Sequence, residues 1–201
     1  MEDLIIFESD GFQLEALYTH QSDTRAVVIT HPHSLYGGDM YNSVVYMLHK
    51  TYSESGYTTF RFNFRGVGKS GGRYDDGIGE QNDLLAAFNF LKTKGFTNID
   101  LAGYSFGSWV GAALASKTDI FKNVILVSPP VSFMDFNEIS EIPSLRLTVV
   151  GDRDEFASLD LLRDKISAMN KDAALEVLPG TDHFYTGSLE ALSAILKQII
   201  T

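Results

Sequence analysis

The sequence predicts an α/β protein with a mostly parallel sheet, and two observations carry this prediction. Short runs rich in β-branched residues alternate with segments of helical periodicity along most of the 201 residues. The first two apolar runs are instead separated only by a turn, which is typical of an antiparallel hairpin. The alternation implies right-handed crossovers that place helices on both faces of the sheet. Because ligands of such sheets bind beyond the carboxyl ends of the strands, we expect the functional residues in the strand-to-helix loops.

The strands follow in order along the chain. Residues 4–7 and 12–18 form the predicted hairpin around the turn Ser9-Asp10-Gly11. Six later runs complete a sheet of about eight strands. These runs are residues 26–29, 58–62, 98–101, 124–127, 147–150 and 175–178.

Helical patterns separate the later strands. They cover residues 41–55, 81–94, 106–117, 159–169 and 189–200. The interval 128–143 contains three prolines and is interpreted as a loop or an abbreviated helix. Because no internal repeat or long linker interrupts the order, residues 1–201 are predicted to form one α/β domain without a large lid.

Composition narrows the class of protein. No segment approaches the ~20 apolar residues of a membrane helix, and the absence of cysteine excludes a thiol nucleophile. The N-terminus carries Glu2 and Asp3 where a secretory signal would carry Lys or Arg, so a cytoplasmic location is expected. The formal charge of −10 disfavours nucleic acid and anionic membranes as partners. It is compatible with a monomer or a small homo-oligomer.

The segment Gly103-Tyr104-Ser105-Phe106-Gly107 predicts a nucleophile at Ser105. It follows one predicted strand and opens a predicted helix, which is the context of a G-x-S-x-G nucleophile elbow. Glycine is needed on both sides because a side chain there would collide with the neighbouring strand or helix. The alternative interpretation is that Ser105 only caps the helix.

A base and an acid follow in the order that the elbow requires. His183 lies between the last strand and the last helix, where a loop can carry its imidazole to the edge of the sheet. Asp154 is favoured as the acid over Asp152, which directly abuts a strand end, and Asp182 is also near in sequence. The order Ser105, Asp154, His183 is that of α/β-hydrolases and not of trypsin-like or subtilisin-like proteases.

The loop of residues 31–38 is expected to supply an oxyanion hole. The elbow places the N–H of Phe106 at the developing charge, and the N–H of His33 is the candidate for the second donor, since Pro32 has none. A metal site formed by His31, His33 and Asp39 is an alternative that no further His or Cys cluster supports. We therefore expect neither a metal nor a cofactor.

One further motif imitates a nucleotide site. Gly66-Val67-Gly68-Lys69-Ser70 ends like a P-loop, but Asn63 stands where that pattern requires its first glycine. Nucleotide binding is therefore disfavoured.

Several segments together resemble a known group of proteins. They are His31-Pro32-His33, Gly37-Gly38-Asp39-Met40, residues 61–68 with Ser70-Gly71, and the elbow. They resemble small α/β-hydrolases related to dienelactone hydrolase and the prolyl oligopeptidase superfamily, across nearly the whole chain. The resemblance implies that the acid is the second aspartate of Gly151-Asp152-Arg153-Asp154. Dienelactone hydrolases carry cysteine where Ser105 stands, which disfavours that particular reaction here.

The combined prediction is a serine hydrolase that cleaves a small ester or thioester, of the carboxylesterase or thioesterase type. Its partner would be a small-molecule acyl substrate bound at an apolar mouth. Tyr36, Met134 and Phe184 are the candidate substrate-binding residues, with Phe106, Phe133 and Tyr185 near them. Two alternatives remain: a peptidase or amidase that uses the same triad, and a binding protein that retains the fold without catalysis.

Overall fold

The computed structural model describes residues 2–200. In chain order its elements are β1 (Asp3–Ser9), β2 (Phe12–Thr19), β3 (Arg25–Thr30), α1 (Ser43–Glu54), β4 (Thr58–Phe62), α2 (Ile78–Thr93), β5 (Asn98–Tyr104), α3 (Phe106–Ala115), β6 (Val124–Val127), β7 (Leu145–Gly151), α4 (Leu159–Met169), β8 (Ala174–Leu178) and α5 (Leu189–Ile199). A single 3₁₀ turn, Ser34–Tyr36, lies between β3 and α1.

The eight strands form one sheet in the order β1-β2-β4-β3-β5-β6-β7-β8. The β1–β2 and β2–β4 pairs are antiparallel, and all other pairs are parallel. The predicted mixed sheet with an N-terminal hairpin, helices on both faces and no large lid is thereby confirmed.

At β3 the order in which successive strands are added to the sheet changes from one side to the other. The chain leaves β3 through α1 to reach β4 on one side, and it returns through α2 to β5 on the other. Such a reversal opens a crevice at the carboxyl ends of the central strands, because the two crossovers leave on opposite faces. Thr30 and Gly103, which are paired at the ends of β3 and β5, mark this position.

Two apolar cores cover the faces of the sheet. Helices α2, α3 and α4 pack on one face, and α1 and α5 pack on the other. Strand β5 serves both cores, because Ile99 and Leu101 face the first while Ala102 and Tyr104 face the second. Full burial on both sides explains why residues 26–29 of β3 and the whole of β6 are continuous apolar runs.

The helix boundaries differ from the expected ones where caps intervene. Helix α1 begins at Ser43 because the side chain of Asn42 accepts a hydrogen bond from the N–H of Val44 at 2.9 Å. Helix α2 begins three residues earlier than the pattern indicated, since the Glu80 carboxylate accepts the N–H of Gly77 at 2.8 Å. Residues 128–143 contain turns and no helix, in agreement with the loop interpretation. In residues 2–200, no helix has the length and apolar character needed to cross a membrane.

A buried carboxyl group lies at the opposite edge of the sheet from the crevice. Asp100 on β5 is 3% exposed, and its side chain accepts a hydrogen bond from the amide of Asn123 at 3.0 Å. Burial raises the pKa of Asp100 to about 6. The folded state therefore binds the proton more tightly than the unfolded chain, and the ionised carboxylate lowers the stability at neutral pH.

Replacement Asp100→Asn is expected to stabilise the fold at neutral pH. The amide keeps an acceptor for Asn123 and removes the buried charge, so the unfolding free energy at pH 7 should rise by ~1–3 kcal/mol. The gain should shrink as pH falls through about 6, because the wild-type carboxyl is then protonated in the folded state. Urea unfolding at several pH values measures this, with the exposed Asp119→Asn as the matched control. A gain that is the same at every pH would contradict the assignment.

Candidate active site

The turn between β5 and α3 holds Ser105 in a conformation that side chains rarely adopt. Its φ is 53° and its ψ is −120°. A Cβ atom at Gly103 would lie 2.6 Å from the carbonyl oxygen of Gly107, and one at Gly107 would lie 2.6 Å from the carbonyl oxygen of His31. Both glycines are therefore required by close approach of the strand and helix backbones.

The side chain of Ser105 points to a histidine and not back onto its helix. Its Oγ lies 2.9 Å from Nε2 of His183, and it makes no capping hydrogen bond to α3. The alternative that Ser105 only caps the helix is thus not supported by its geometry.

Asp154 completes a continuous hydrogen-bonded chain. Nδ1 of His183 lies 2.9 Å from both carboxylate oxygens of Asp154. An imidazole that donates from Nδ1 to a carboxylate leaves Nε2 free to accept the Ser105 hydroxyl proton. Oδ1 of Asp154 also accepts the N–H groups of Phe156 and Ala157, at 3.0 and 3.1 Å, which orient the carboxylate.

The two other candidate acids lie elsewhere in the same loops. Asp152 is exposed, and its Oδ1 accepts the N–H of Gly180 at 2.6 Å, so it braces one loop against another. Asp182 accepts the N–H groups of Phe184 and Thr186, each at 3.1 Å, and these bonds lower its pKa. Neither carboxylate reaches the imidazole of His183.

A hydrogen bond from a tyrosine at the end of β5 fixes the loop that carries His183. The hydroxyl of Tyr104 donates to the carbonyl oxygen of His183 at 2.9 Å, and the ring of Phe156 lies 4.7 Å from the imidazole. Tyr185, expected near the mouth, is instead fully buried beneath it. Its hydroxyl bonds Ser128 at 3.0 Å and donates to the carbonyl oxygen of Val149 at 3.2 Å. That expectation was wrong, because complete burial and these hydrogen bonds make Tyr185 a core residue, which has a positive φ of 57°.

Phe106 and His33 carry the two N–H groups that the sequence predicts as oxyanion donors. Phe106 and His33 both line the cleft, and within residues 2–200 neither of their N–H groups makes a hydrogen bond. The ring of His33 caps the 3₁₀ turn, where Nδ1 accepts the N–H of Leu35 at 3.3 Å. It also lies among the rings of Tyr36, Tyr74 and Phe106, which fix its orientation.

His31 is a structural residue of the same loop. Its Nδ1 lies 2.7 Å from the carbonyl oxygen of Pro32, and its Nε2 accepts the N–H of Phe64 at 3.0 Å. Because both ring nitrogens make hydrogen bonds, neither is free to bind a metal ion in the alternative site with His33 and Asp39. No group of three His, Asp or Glu residues within 2–200 is placed to hold a metal ion. Complete burial lowers the pKa of His31 to about 4, which keeps the ring neutral.

The cleft above Ser105 is apolar and has a volume of about 520 Å³. The predicted residues Tyr36, Met134 and Phe184 line it, together with Phe106 and Phe133. Pro130, Phe156 and Asn42 also line it and were missed, because each lies in a loop or at a helix start where no periodicity identifies a face. None of the lining residues is Asp, Glu, Lys or Arg.

The P-loop-like segment is not built to hold a phosphate. Oε1 of Glu15 accepts the N–H of Lys69 at 2.7 Å, and the hydroxyl of Ser70 donates to the carbonyl oxygen of Asn63 at 2.7 Å. The backbone of this loop therefore encloses a carboxylate of the protein itself.

Comparisons with known proteins agree with this geometry. Residues 28–176 match the model of the alpha/beta hydrolase fold family. An uncharacterized protein of Rickettsia prowazekii is 32% identical over 98% of this chain and 88% of its own length. The structure of an alpha-beta serine hydrolase homologue from Coxiella burnetii is 34% identical, with a TM-score of 0.91 over 99% of this chain and 97% of that one. A lidless α/β serine hydrolase from Xanthomonas campestris is 29% identical, with a TM-score of 0.90 over 98% and 92% of the two chains.

We expect His31 to make the fold sensitive to mild acid. Its folded pKa of about 4 lies below the ordinary value of 6.5, so its contribution is complete above pH 6.5 and is lost as pH falls towards 4. In the Asp100→Asn background, which removes one opposing carboxyl titration, the contribution of His31 to the unfolding free energy should fall by ~2–3 kcal/mol between about pH 7 and 4.5. Adding His31→Gln should make the pH dependence less steep by that amount, and an unchanged slope in urea unfolding would contradict the role of His31.

Proposed function

The chain belongs to the α/β-hydrolase family, and we propose that it is a serine hydrolase that cleaves a small, neutral carboxylic ester. The observation that carries the proposal is the hydrogen-bonded chain from Ser105 through His183 to Asp154. Ser105 is the nucleophile, His183 the general base, and Asp154 the carboxylate that orients and stabilises the imidazolium.

In the proposed reaction, Ser105 Oγ attacks the ester carbonyl while Nε2 of His183 takes its proton. The tetrahedral oxyanion accepts hydrogen bonds from the N–H groups of Phe106 and His33. Collapse breaks the bond to the leaving alkoxide, which receives the proton from His183, and Ser105 is left acylated. Water, deprotonated by His183, then releases the carboxylic acid and restores the serine.

The lining of the cleft supports an ester of an uncharged, apolar acid. The rim is formed by large rings that are unusually exposed: Tyr36 is 75%, Phe133 58% and Phe184 63% exposed. A thioester of coenzyme A carries phosphates, which Lys and Arg commonly bind in proteins, and neither residue type lines the cleft. Among the activities compatible with the triad, this favours the ester.

Labelling with a fluorophosphonate probe tests the proposed nucleophile. The wild type should form one adduct, mapped to Ser105, and Ser105→Ala should form none. His183→Ala should slow labelling by about 10²-fold or more, because the hydroxyl loses its base. Asp154→Asn should also slow it, by about 10²–10⁴-fold, since the amide disturbs the imidazole tautomer. Intact-mass measurement with peptide mapping gives each rate.

Asp152→Asn is the matched control for Asp154→Asn. Asp152 only accepts the N–H of Gly180, so this variant should react within about threefold of the wild type. Equal losses in the two variants would contradict the assignment of Asp154. A folded wild type that forms no adduct would instead favour a binding protein with this fold.

Substrate charge should control turnover. We expect kcat/KM for phenyl butyrate to exceed that for 4-carboxyphenyl butyrate and for butyryl-coenzyme A by about tenfold or more, because a neutral apolar cleft gives their anionic groups no partner. Phe133→Lys should narrow the gap, whereas Phe133→Met, which adds no charge, should preserve it. A higher kcat/KM for the anionic substrates would contradict the proposed substrate class. Hydrolysis rates that rise with long, micelle-forming acyl chains would contradict it as well. Preferential cleavage of peptides would favour the peptidase alternative.

A further inference from the structure

We propose that Asn63, held by the buried carboxylate of Glu15, is a positioning residue for the oxyanion loop. The loop is residues 31–40, and it contains the N–H of His33 that we assign to the oxyanion. This inference rests on the proposed function, because it names a residue that supports the same reaction from outside the cleft.

The side chains of Glu15 and Asn63 form a buried pair behind the loop. Glu15 is 5% and Asn63 1% exposed. Nδ2 of Asn63 donates to Oε1 of Glu15 at 2.8 Å, and the N–H of Lys69 donates to the same oxygen at 2.7 Å. A Cβ atom at Gly68, whose φ is 58°, would lie 2.2 Å from that oxygen, so glycine at this position gives the carboxylate room without a shift of the Glu15 side chain.

The other end of the Asn63 amide holds the end of the oxyanion loop. Its Oδ1 accepts the N–H of Met40 at 2.7 Å. The carbonyl oxygen of Met40 accepts a hydrogen bond from Nη1 of Arg61, also at 2.7 Å. Both peptide groups flanking Met40 are therefore bound to β4 and the segment that follows it.

Close packing within the loop connects Met40 to His33, whose N–H is the proposed oxyanion donor. Gly38, two residues before Met40, packs on the peptide group that joins Pro32 to His33, where a Cβ atom would lie 2.2 Å from the Pro32 oxygen. The N–H of Gly38 also donates to the carbonyl oxygen of His33 at 3.0 Å. The N–H of His33 belongs to the peptide group between Pro32 and His33 on which Gly38 packs. A shift of the backbone at Met40 therefore changes the direction in which this N–H points.

Only an amide satisfies both neighbours of position 63 without an extra proton. Oε1 of Glu15 accepts a hydrogen bond from position 63, whereas the N–H of Met40 donates one to it. The other charged or titratable side chains that contact this network are Arg61, at the Met40 oxygen, and His31, which accepts the N–H of Phe64. Glu2 and His49 reach it only through Arg61. An aspartate at 63 would face Glu15 at 2.8 Å and would have to share one proton with it.

The test is the pH dependence of Asn63→Asp relative to the wild type. At about pH 5.5 the two carboxyl groups share a proton, and kcat should lie within about threefold of the wild type at the same pH. At about pH 8.5 both are ionised and repel, and the kcat ratio should fall by a further tenfold or more with less than about twofold change in KM. Taking the ratio at each pH removes the pH effects that the variant shares with the wild type. The melting temperature of the variant should fall over the same pH range, which reports the pair without catalysis.

Two further variants sharpen this test. Glu15→Gln combined with Asn63→Asp leaves one carboxylate, so the pH dependence of the ratio should disappear. Asn89→Asp, the same change on the exposed surface of α2, should match the wild type at every pH.

A kcat ratio for Asn63→Asp that stays constant with pH would overturn the positioning role, even if the melting temperature changes. A wild type that turns over no ester and takes no fluorophosphonate would overturn the proposed function itself. The two failures are therefore distinguishable.

Discussion

The site depends on the close approach of the β5–α3 turn to the end of β3. Ser105 occupies a backbone conformation that costs about 1–3 kcal/mol, and surrounding contacts keep it there. Its N–H donates to the carbonyl oxygen of Val127 at 2.9 Å, and the hydroxyl of Thr30 donates to the carbonyl oxygen of Gly107 at 2.9 Å. The turn is thus bonded to both neighbouring strands. This constraint raises the serine hydroxyl above the sheet and places the first N–H of α3 beside it.

The other parts of the site are held by side chains that bond to loop backbone. The hydroxyl of Tyr104 donates to the carbonyl oxygen of His183, and Asp154 accepts two N–H groups of its own loop. Each bond joins loops from different strands or closes a loop on itself. The side chains of His183 and Asp154 are consequently positioned without a ligand, which is the preorganisation that the proposed reaction needs.

Charge is distributed unevenly through the molecule. Arg65 is paired with Asp83 through bonds of 3.0 and 2.7 Å, and Glu15 is enclosed by backbone and amide donors. These buried charges lie behind the oxyanion loop or at the α2 face, whereas none of the residues lining the cleft is Asp, Glu, Lys or Arg. The cleft is therefore apolar although the net charge of the chain is −10.

The sequence by itself determined the strands, the alternation of helices and the elbow at Ser105, because burial leaves a periodic pattern and close backbone approach leaves glycine. It also identified Asp154 and His183 as candidates. It did not exclude Asp152 and Asp182 as the acid, because all three aspartates lie in loops, where no hydrophobic periodicity indicates which way a side chain points. Only the tertiary structure decided which carboxylate meets the imidazole, that Tyr185 is core, and that Asn63 bonds Glu15 and Met40. Those contacts join residues 23 to 57 positions apart, and local sequence patterns do not encode such relations.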